Sequence, residues 1–275
     1  MPDVDLPPAA VRSLAASALA AEAPAPATLE RLAQMCRRAG ALDEARALLE
    51  RLPDGAPGRE LLSALRGLPQ RPDGNTAAPF HRQTDFLPAE AAAEVLDLAT
   101  DALQDLVDST VADADDVRRL DPSTRRSHVA TEVDALRRVF MPHVKALMAE
   151  RGLARRMGLD RDAPGRHELQ FTAHGDGCFF KPHTDAPPGA STGRAITFVY
   201  YFVNPPRRFS GGDLLLFDGP ADGAWWDTTA FTRIAPENNS LIVFPSARAH
   251  EVEPVRSDHA DLAAGRLTLN GWFHH

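Results

Sequence analysis

Apolar side chains recur every three or four residues in the first part of the chain and every second residue in the last, so the two ends are built differently. Leu29, Leu32, Ala33 and Cys36, then Leu42, Ala45, Leu48, Leu49 and Leu52, share helical faces, and Gly40 between them is a helix stop. The spacing predicts a helical hairpin over Leu29 to Leu52 and a third helix over Arg59 to Leu65. Pro, Gly and Asn mark Leu68 to Pro79 as a linker. Pro88 opens a second helical pattern through Leu106, and Ser127 to Glu150 carries another, with Val133, Leu136, Val139, Phe140 and Val144 on one face. From His167 the grain changes to short β-branched and aromatic runs. Strands are predicted over His167 to Ala173, Ala195 to Val203, Asp213 to Asp218, Ala230 to Ile234, Ser240 to Phe244, Glu251 to Val255 and Arg266 to Phe273. Short strands joined by turns, without helical crossovers, make a sandwich or jelly roll rather than a doubly wound sheet. With the helices before it, the fold class is α+β.

Composition narrows the function. No Phe, Trp or Tyr precedes Phe80, which sets a helical region, 1–67, apart from the chain beyond the linker. The hairpin is of tetratricopeptide-like form, but a free-standing array needs about three repeats. These helices are therefore expected to pack on the rest of the chain, with a protein-partner surface as the sharper alternative. A formal charge of −8 over 275 residues argues against nucleic acid or an anionic membrane surface as partner. The longest largely apolar run, Ala195 to Val203, is far short of the ~20 residues that span a bilayer. Cys36 and Cys178 are the only cysteines, too few for a disulfide framework, and a reducing, cytoplasmic setting is expected. Asp3 and Asp5 stand where a secretory signal would want basic residues.

Three His-x-Asp triplets are candidates for chemistry: His174 with Asp176, His183 with Asp185, and His259 with Asp261. Context favours the second. It follows Cys178-Phe179-Phe180-Lys181-Pro182, and side chains at i and i+2 of an extended segment point the same way. His250, just after the strand Ser240 to Phe244, supplies a third ligand. Two imidazoles and one carboxylate form the facial set that holds non-haem Fe(II) with open positions, whereas magnesium and calcium prefer oxygen. Arg266 opens the last strand with Thr268 on its face, and an inward guanidinium of this kind anchors a carboxylate. The bland alternative is a strand-end arginine paired with a surface acid.

The order His183-x-Asp185, Tyr200-Tyr201, Gly211-Gly212-Asp213-Leu214, Phe244 before His250, Pro254-Val255, and Gly265-Arg266 before Trp272 resembles the prolyl-4-hydroxylase-like branch of the Fe(II)/2-oxoglutarate dioxygenases. The resemblance covers about residues 165–275, with Phe80 to Leu87 and the following helix similar to the usual lead-in. It implies a dioxygenase domain over 80–275, with helices in 88–150 and a double-stranded β-helix core in 165–275. It also implies Fe(II) on His183, Asp185 and His250, and Arg266 on the far carboxylate of 2-oxoglutarate. Tyr201 is the helping tyrosine, because it shares parity with Thr197. Two departures stand out. The interval from His250 to Arg266 is long, with Ser257 to Ala264 reading as an inserted turn, which makes Arg256 a fallback anchor. His174 stands where the family often has tyrosine; it lines the cosubstrate pocket or is a satisfied strand-end residue.

The resemblance implies that 2-oxoglutarate and O2 are consumed, succinate and CO2 are released, and a nearby C–H bond is hydroxylated, with ascorbate as a candidate reductant. Asp185 favours hydroxylation over halogenation, which dispenses with that carboxylate. The expected substrate is an amino-acid side chain in a peptide, a protein or a free amino acid. Trp225 and Trp226, in the loop Pro220 to Thr229, either stack on such a substrate or plug the sandwich end, and the turn Ala186 to Gly193 is of a length to cover the mouth. Arg207 and Arg208 either attract an acidic substrate or solvate. Competing readings are a non-catalytic jelly roll with the hairpin as its working surface, and a cupin-like metalloenzyme without cosubstrate, which Arg266 disfavours.

Overall fold

The computed structural model describes residues 6–56, 58–67, 76–112, 118–150, 152–157, 165–188 and 193–275. Helices α1 (Pro8–Ala20), α2 (Pro26–Arg38), α3 (Leu42–Glu50) and α4 (Arg59–Leu65) open the chain. Pro26 starts α2, where its missing N–H costs nothing. Gly40 ends the turn after α2 at φ 73°, a conformation other residues resist. Then come β1 (His81–Gln83), α5 (Ala89–Ala102), and the short strands β2 (Val107–Asp108), β3 (Val111–Ala112), β4 (Arg118–Arg119), β5 (Arg125–Arg126) and β6 (His128–Ala130). Helices α6 (Asp134–Glu150) and α7 (Leu153–Arg156) follow. The last part is β7 (His167–His174), β8 (Phe179–His183), β9 (Arg194–Phe202), β10 (Ser210–Gly211), β11 (Leu214–Asp218), β12 (Asp227–Ile234), β13 (Ser240–Pro245), β14 (His250–Val252), β15 (Val255–Arg256) and β16 (Arg266–His274).

The strands build a jelly roll from two facing antiparallel sheets. The larger runs β1-β13-β9-β16-β7-β6-β2 and the smaller β12-β11-β14-β8-β5. Alternation decides what each face sees. Phe171, Phe198, Tyr200, Leu241, Leu269 and Phe273 face outward into a core shared with Val95, Leu136, Phe140 and Val144 of α5 and α6. Thr172, His174, Thr197, Tyr201, Arg266 and Thr268 alternate with them, so their side chains take the opposite face, toward the small sheet.

Three expectations need correction. The helix expected from Ser127 begins only at Asp134, because His128–Ala130 pairs with β7 and satisfies its edge. Phe179–His183, absent from the expected strands, is β8. The strand expected over Glu251 to Val255 splits into β14 and β15 around Pro254, which has no N–H for a ladder. Of the expected linker, 68–75 lies outside the described residues. Thr76 bridges Gly219 in both directions at 3.0 and 3.1 Å, so the chain is already docked there.

The N-terminal helices bury their apolar faces against the jelly roll. Leu29, Leu48 and Leu49 share one core with Val199, Leu216, Ile242 and Phe244. Within it Arg37, fully buried, grips Asp218 through two bonds of 2.7 and 3.1 Å and Thr232 at 2.9 Å. No helix among the described residues is long and apolar enough to cross a membrane.

Removing one partner of a buried ion pair strands the other charge. Arg37→Ala is expected to destabilise the whole fold by about 3–5 kcal/mol. Fluorescence of the tryptophans, all of which lie beyond residue 220, should report the lowered denaturant midpoint as one transition.

Candidate functional site

The centre of the site follows from strand register. His250 at the start of β14 lies directly opposite His183 at the end of β8, and Asp185 follows two residues later. The ligand atoms of His183, Asp185 and His250 all lie within 4.8 Å of one another, the one such cluster of three His, Cys or acidic residues among the described residues. The His250 Nε2 is 3.5 Å from Asp185 Oδ2, and His183 Nε2 is 3.9 Å from Oδ1. Each Nδ1 faces a backbone carbonyl, Lys181 O at 2.8 Å and Arg248 O at 3.0 Å. The proton therefore belongs on Nδ1, which leaves each Nε2 lone pair turned to the shared space.

The walls hold these groups still. Thr197 donates to Asp185 Oδ2 at 2.7 Å and meets Ser246 Oγ at 2.9 Å. A register shift in β14 against β8 brings Phe180 onto His183, with the rings stacked and centroids 3.4 Å apart. Phe244 meets His250 edge to face. Burial, then the neighbouring His250, pushes the His183 imidazole down to about 3, so it is neutral at pH 7, the form that binds a metal. Burial alone would raise the Asp185 carboxyl, but the two histidines, with the Thr197 hydroxyl, outweigh it and leave it below its ordinary value. A charged acid and two imidazoles with their Nε2 atoms turned inward make a donor set for a divalent transition metal.

Beyond the triad lies a buried cation. Arg266 is 2% exposed and stands opposite His174 in register, with Nη1 3.4 Å from His174 Nδ1 and the guanidinium 4.9 Å from the Tyr201 ring centre. Arg266 Nε, Tyr201 Oη and His174 Nε2 are buried without a protein partner. A buried polar group left unsatisfied costs about 1–3 kcal/mol, so three together fit a polar ligand, and a carboxylate suits the cation. Burial raises the Tyr201 hydroxyl and, with Arg266 next, holds His174 well below its ordinary value, so both are neutral. Thr268, fully buried, donates to Thr172 O at 3.4 Å. Gly212 makes room: at φ 69° a Cβ there would meet Arg266 Cδ at 2.8 Å and Val255 Cγ2 at 2.9 Å.

The other candidates separate. Arg256 on β15 is exposed, so it does not replace Arg266 inside. His174 is not satisfied within the protein, against the strand-end alternative. Asp176 accepts from Ser257 N, and Asp261 caps the turn at Leu262–Ala264, so neither outer triplet gathers a third ligand. Trp226 packs with Leu215, Phe217 and Ala249 on the face of the small sheet opposite Leu216 and His250, while Trp225 is exposed. The turn expected over Ala186 to Gly193 includes 189–192, outside the described residues. Arg207 stacks on Phe209 and donates to Pro236 O, and Arg208 is exposed. The sequence pattern understates Thr197, although a lone hydroxyl inside an apolar strand is its signal.

Residues 169–274 match the family described as the 2OG-Fe(II) oxygenase superfamily. An uncharacterized PKHD-type hydroxylase of Synechocystis sp. strain PCC 6803 is 44% identical over 106 residues, 38% of this chain and 35% of that relative's length. A Trichoplax adhaerens prolyl hydroxylase, solved with a hypoxia inducible factor peptide fragment, is similar in fold, with TM-score 0.51 and 21% identity over 71% of this chain and 83% of that one. A Pseudomonas putida prolyl-4-hydroxylase aligns at TM-score 0.46 and 22% identity, covering 72% and 93% of the two chains.

The depressed His183 value has a sign. Native His183 stays neutral while the unfolded chain takes up a proton below about 6.5, so stability present at pH 7 is lost as pH falls toward about 3. For the metal-free protein this group is expected to cost about 2 kcal/mol between pH 7 and pH 5. Urea midpoints at the two pH values should show that component disappearing in His183→Ala.

Proposed function

We propose, from the match of residues 169–274 to the 2OG-Fe(II) oxygenase superfamily, that the protein is an Fe(II)- and 2-oxoglutarate-dependent hydroxylase acting on an amino-acid side chain, prolyl in type, in a peptide, a protein or a free amino acid. The observation that carries this reading is the His183–Asp185–His250 cluster of the small sheet together with Arg266, a buried cation with an unsatisfied Nε, on the inner face of the large sheet. Bound there, iron(II) and 2-oxoglutarate supply the oxidative chemistry, in which O2 is consumed, succinate and CO2 are released and a substrate C–H bond gains a hydroxyl.

The residues divide the work by position. His183, Asp185 and His250 would hold the ion, and a two-histidine, one-carboxylate set would leave it positions for cosubstrate and O2. Arg266 offers a fork to the far carboxylate, and the Tyr201 hydroxyl supplies a further donor beside it. His174, neutral and facing the same cation, lines that end of the pocket, and Thr268 forms its buried wall. Thr197 keeps the Asp185 carboxylate in one orientation. Phe180 and Phe244 close apolar surface around the imidazoles and limit water at the ion. The substrate class rests on likeness: the relatives carry the names PKHD-type hydroxylase and prolyl hydroxylase.

Anaerobic titration of the Fe(II)-loaded protein with 2-oxoglutarate is expected to raise the weak visible charge-transfer band of the chelate. His183→Ala should abolish it, and persistence of the band in that variant would reject the site. Arg266→Ala is expected to weaken 2-oxoglutarate binding roughly tenfold to hundredfold, the scale of a lost charged hydrogen bond. Arg256→Ala should leave it unchanged, and the reverse ranking would move the anchor.

A further inference from the structure

Trp272 is the one tryptophan turned into the interior. On β16 it shares the inward face of Arg266 and Thr268, and it lies directly opposite Thr197, whose hydroxyl is bonded to Asp185. The indole is 8% exposed, and its Nε1 is buried without a hydrogen-bond partner. A tryptophan that serves packing alone normally satisfies that N–H. The ring is also clamped from outside. The Arg194 guanidinium lies 3.7 Å from the ring centre, Arg194 donates to Glu168 Oε2 at 2.5 Å, and Glu168 Oε1 meets His274 Nε2 at 2.7 Å. A cation over an indole face and two bonds on one carboxylate leave the ring little freedom.

We propose that Trp272 is a positioning residue for the metal centre: its indole N–H is a second donor to the Asp185 carboxylate beside Thr197, and Arg194, fixed by Glu168 and His274, holds the indole in that orientation. The inference rests on the metal-centre reading given above. Two donors on one carboxylate restrain its rotation, so that the oxygen left to the ion is presented in a fixed direction.

The test is Mn(II) binding to the metal-free full chain, followed by calorimetry and by the Mn(II) EPR signal, with no turnover involved. Trp272→Phe keeps an aromatic ring under Arg194 and removes the N–H. It is expected to melt close to wild type yet lose tenfold to hundredfold in Mn(II) affinity, the effect typical of an outer-shell hydrogen bond, with a changed EPR line shape. Thr197→Val should show a loss of the same order, and Thr197→Ser should restore it. Trp272→Phe that is folded and binds Mn(II) within twofold of wild type, with an unaltered EPR signal, overturns the proposal while leaving the metal centre standing. A wild-type protein that binds no Mn(II) overturns both. Should Trp272→Phe fail to fold, Arg194→Gln carries the test, since the indole remains and only its clamp is gone: a severalfold loss of Mn(II) affinity supports the proposal and an unchanged affinity overturns it.

Discussion

Everything in the site depends on one cross-strand pair. His250 sits opposite His183 because β14 and β8 are antiparallel in that register, and a slip of one residue would turn one imidazole to the other face of the sheet. The register is defended on both sides. The neighbouring pair Leu216 and His250 ties β14 to β11, whose inner leucines lie in the core shared with the helices. The irregularity beyond His250 lets Phe180 reach the His183 ring without disturbing the histidine pair. The geometry of the cluster is a by-product of hydrophobic burial: the leucines choose the register and the imidazoles inherit it.

The second half of the site is stabilised by different physics. Arg266 is held at full burial without a carboxylate partner from the protein, a costly state unless a ligand completes it. Its room is made by Gly212, its roof by Tyr201 and its flank by a neutral His174. The inner faces of β7, β9 and β16 are polar where their outer faces are aromatic and aliphatic. The large sheet thus does two jobs with one backbone, a greasy side for α5 and α6 and a polar side for the interior.

Most of this is legible in the sequence. Apart from β8 and the break at Pro254, the ends of the longer strands from His167 onward fall within a few residues of expectation, since alternation and turn residues are local signals. His183, Asp185 and His250 are recoverable because the i, i+2 spacing on an extended segment survives folding unchanged. Arg266 against Arg256 is not decidable by spacing, since an inserted turn between His250 and the last strand hides the register; burial separates them only once β16 is paired. The bracket around Trp272 is illegible for the same reason. Glu168, Arg194 and His274 come from three strands and meet only through sheet order. The start of α6 is hidden because His128–Ala130 follows the demand of a sheet edge rather than its own periodicity.

The salt link between Arg37 and Asp218 reaches further than stability. An arginine from the helical segment and an acid from the β-region are each costly when the other is missing. Recombination that joined these helices to a different jelly roll, or this jelly roll to different helices, would create an orphaned charge in a dry interior. The two segments are therefore constrained to change together, since either one packed against a foreign partner keeps its charge buried and unpaired.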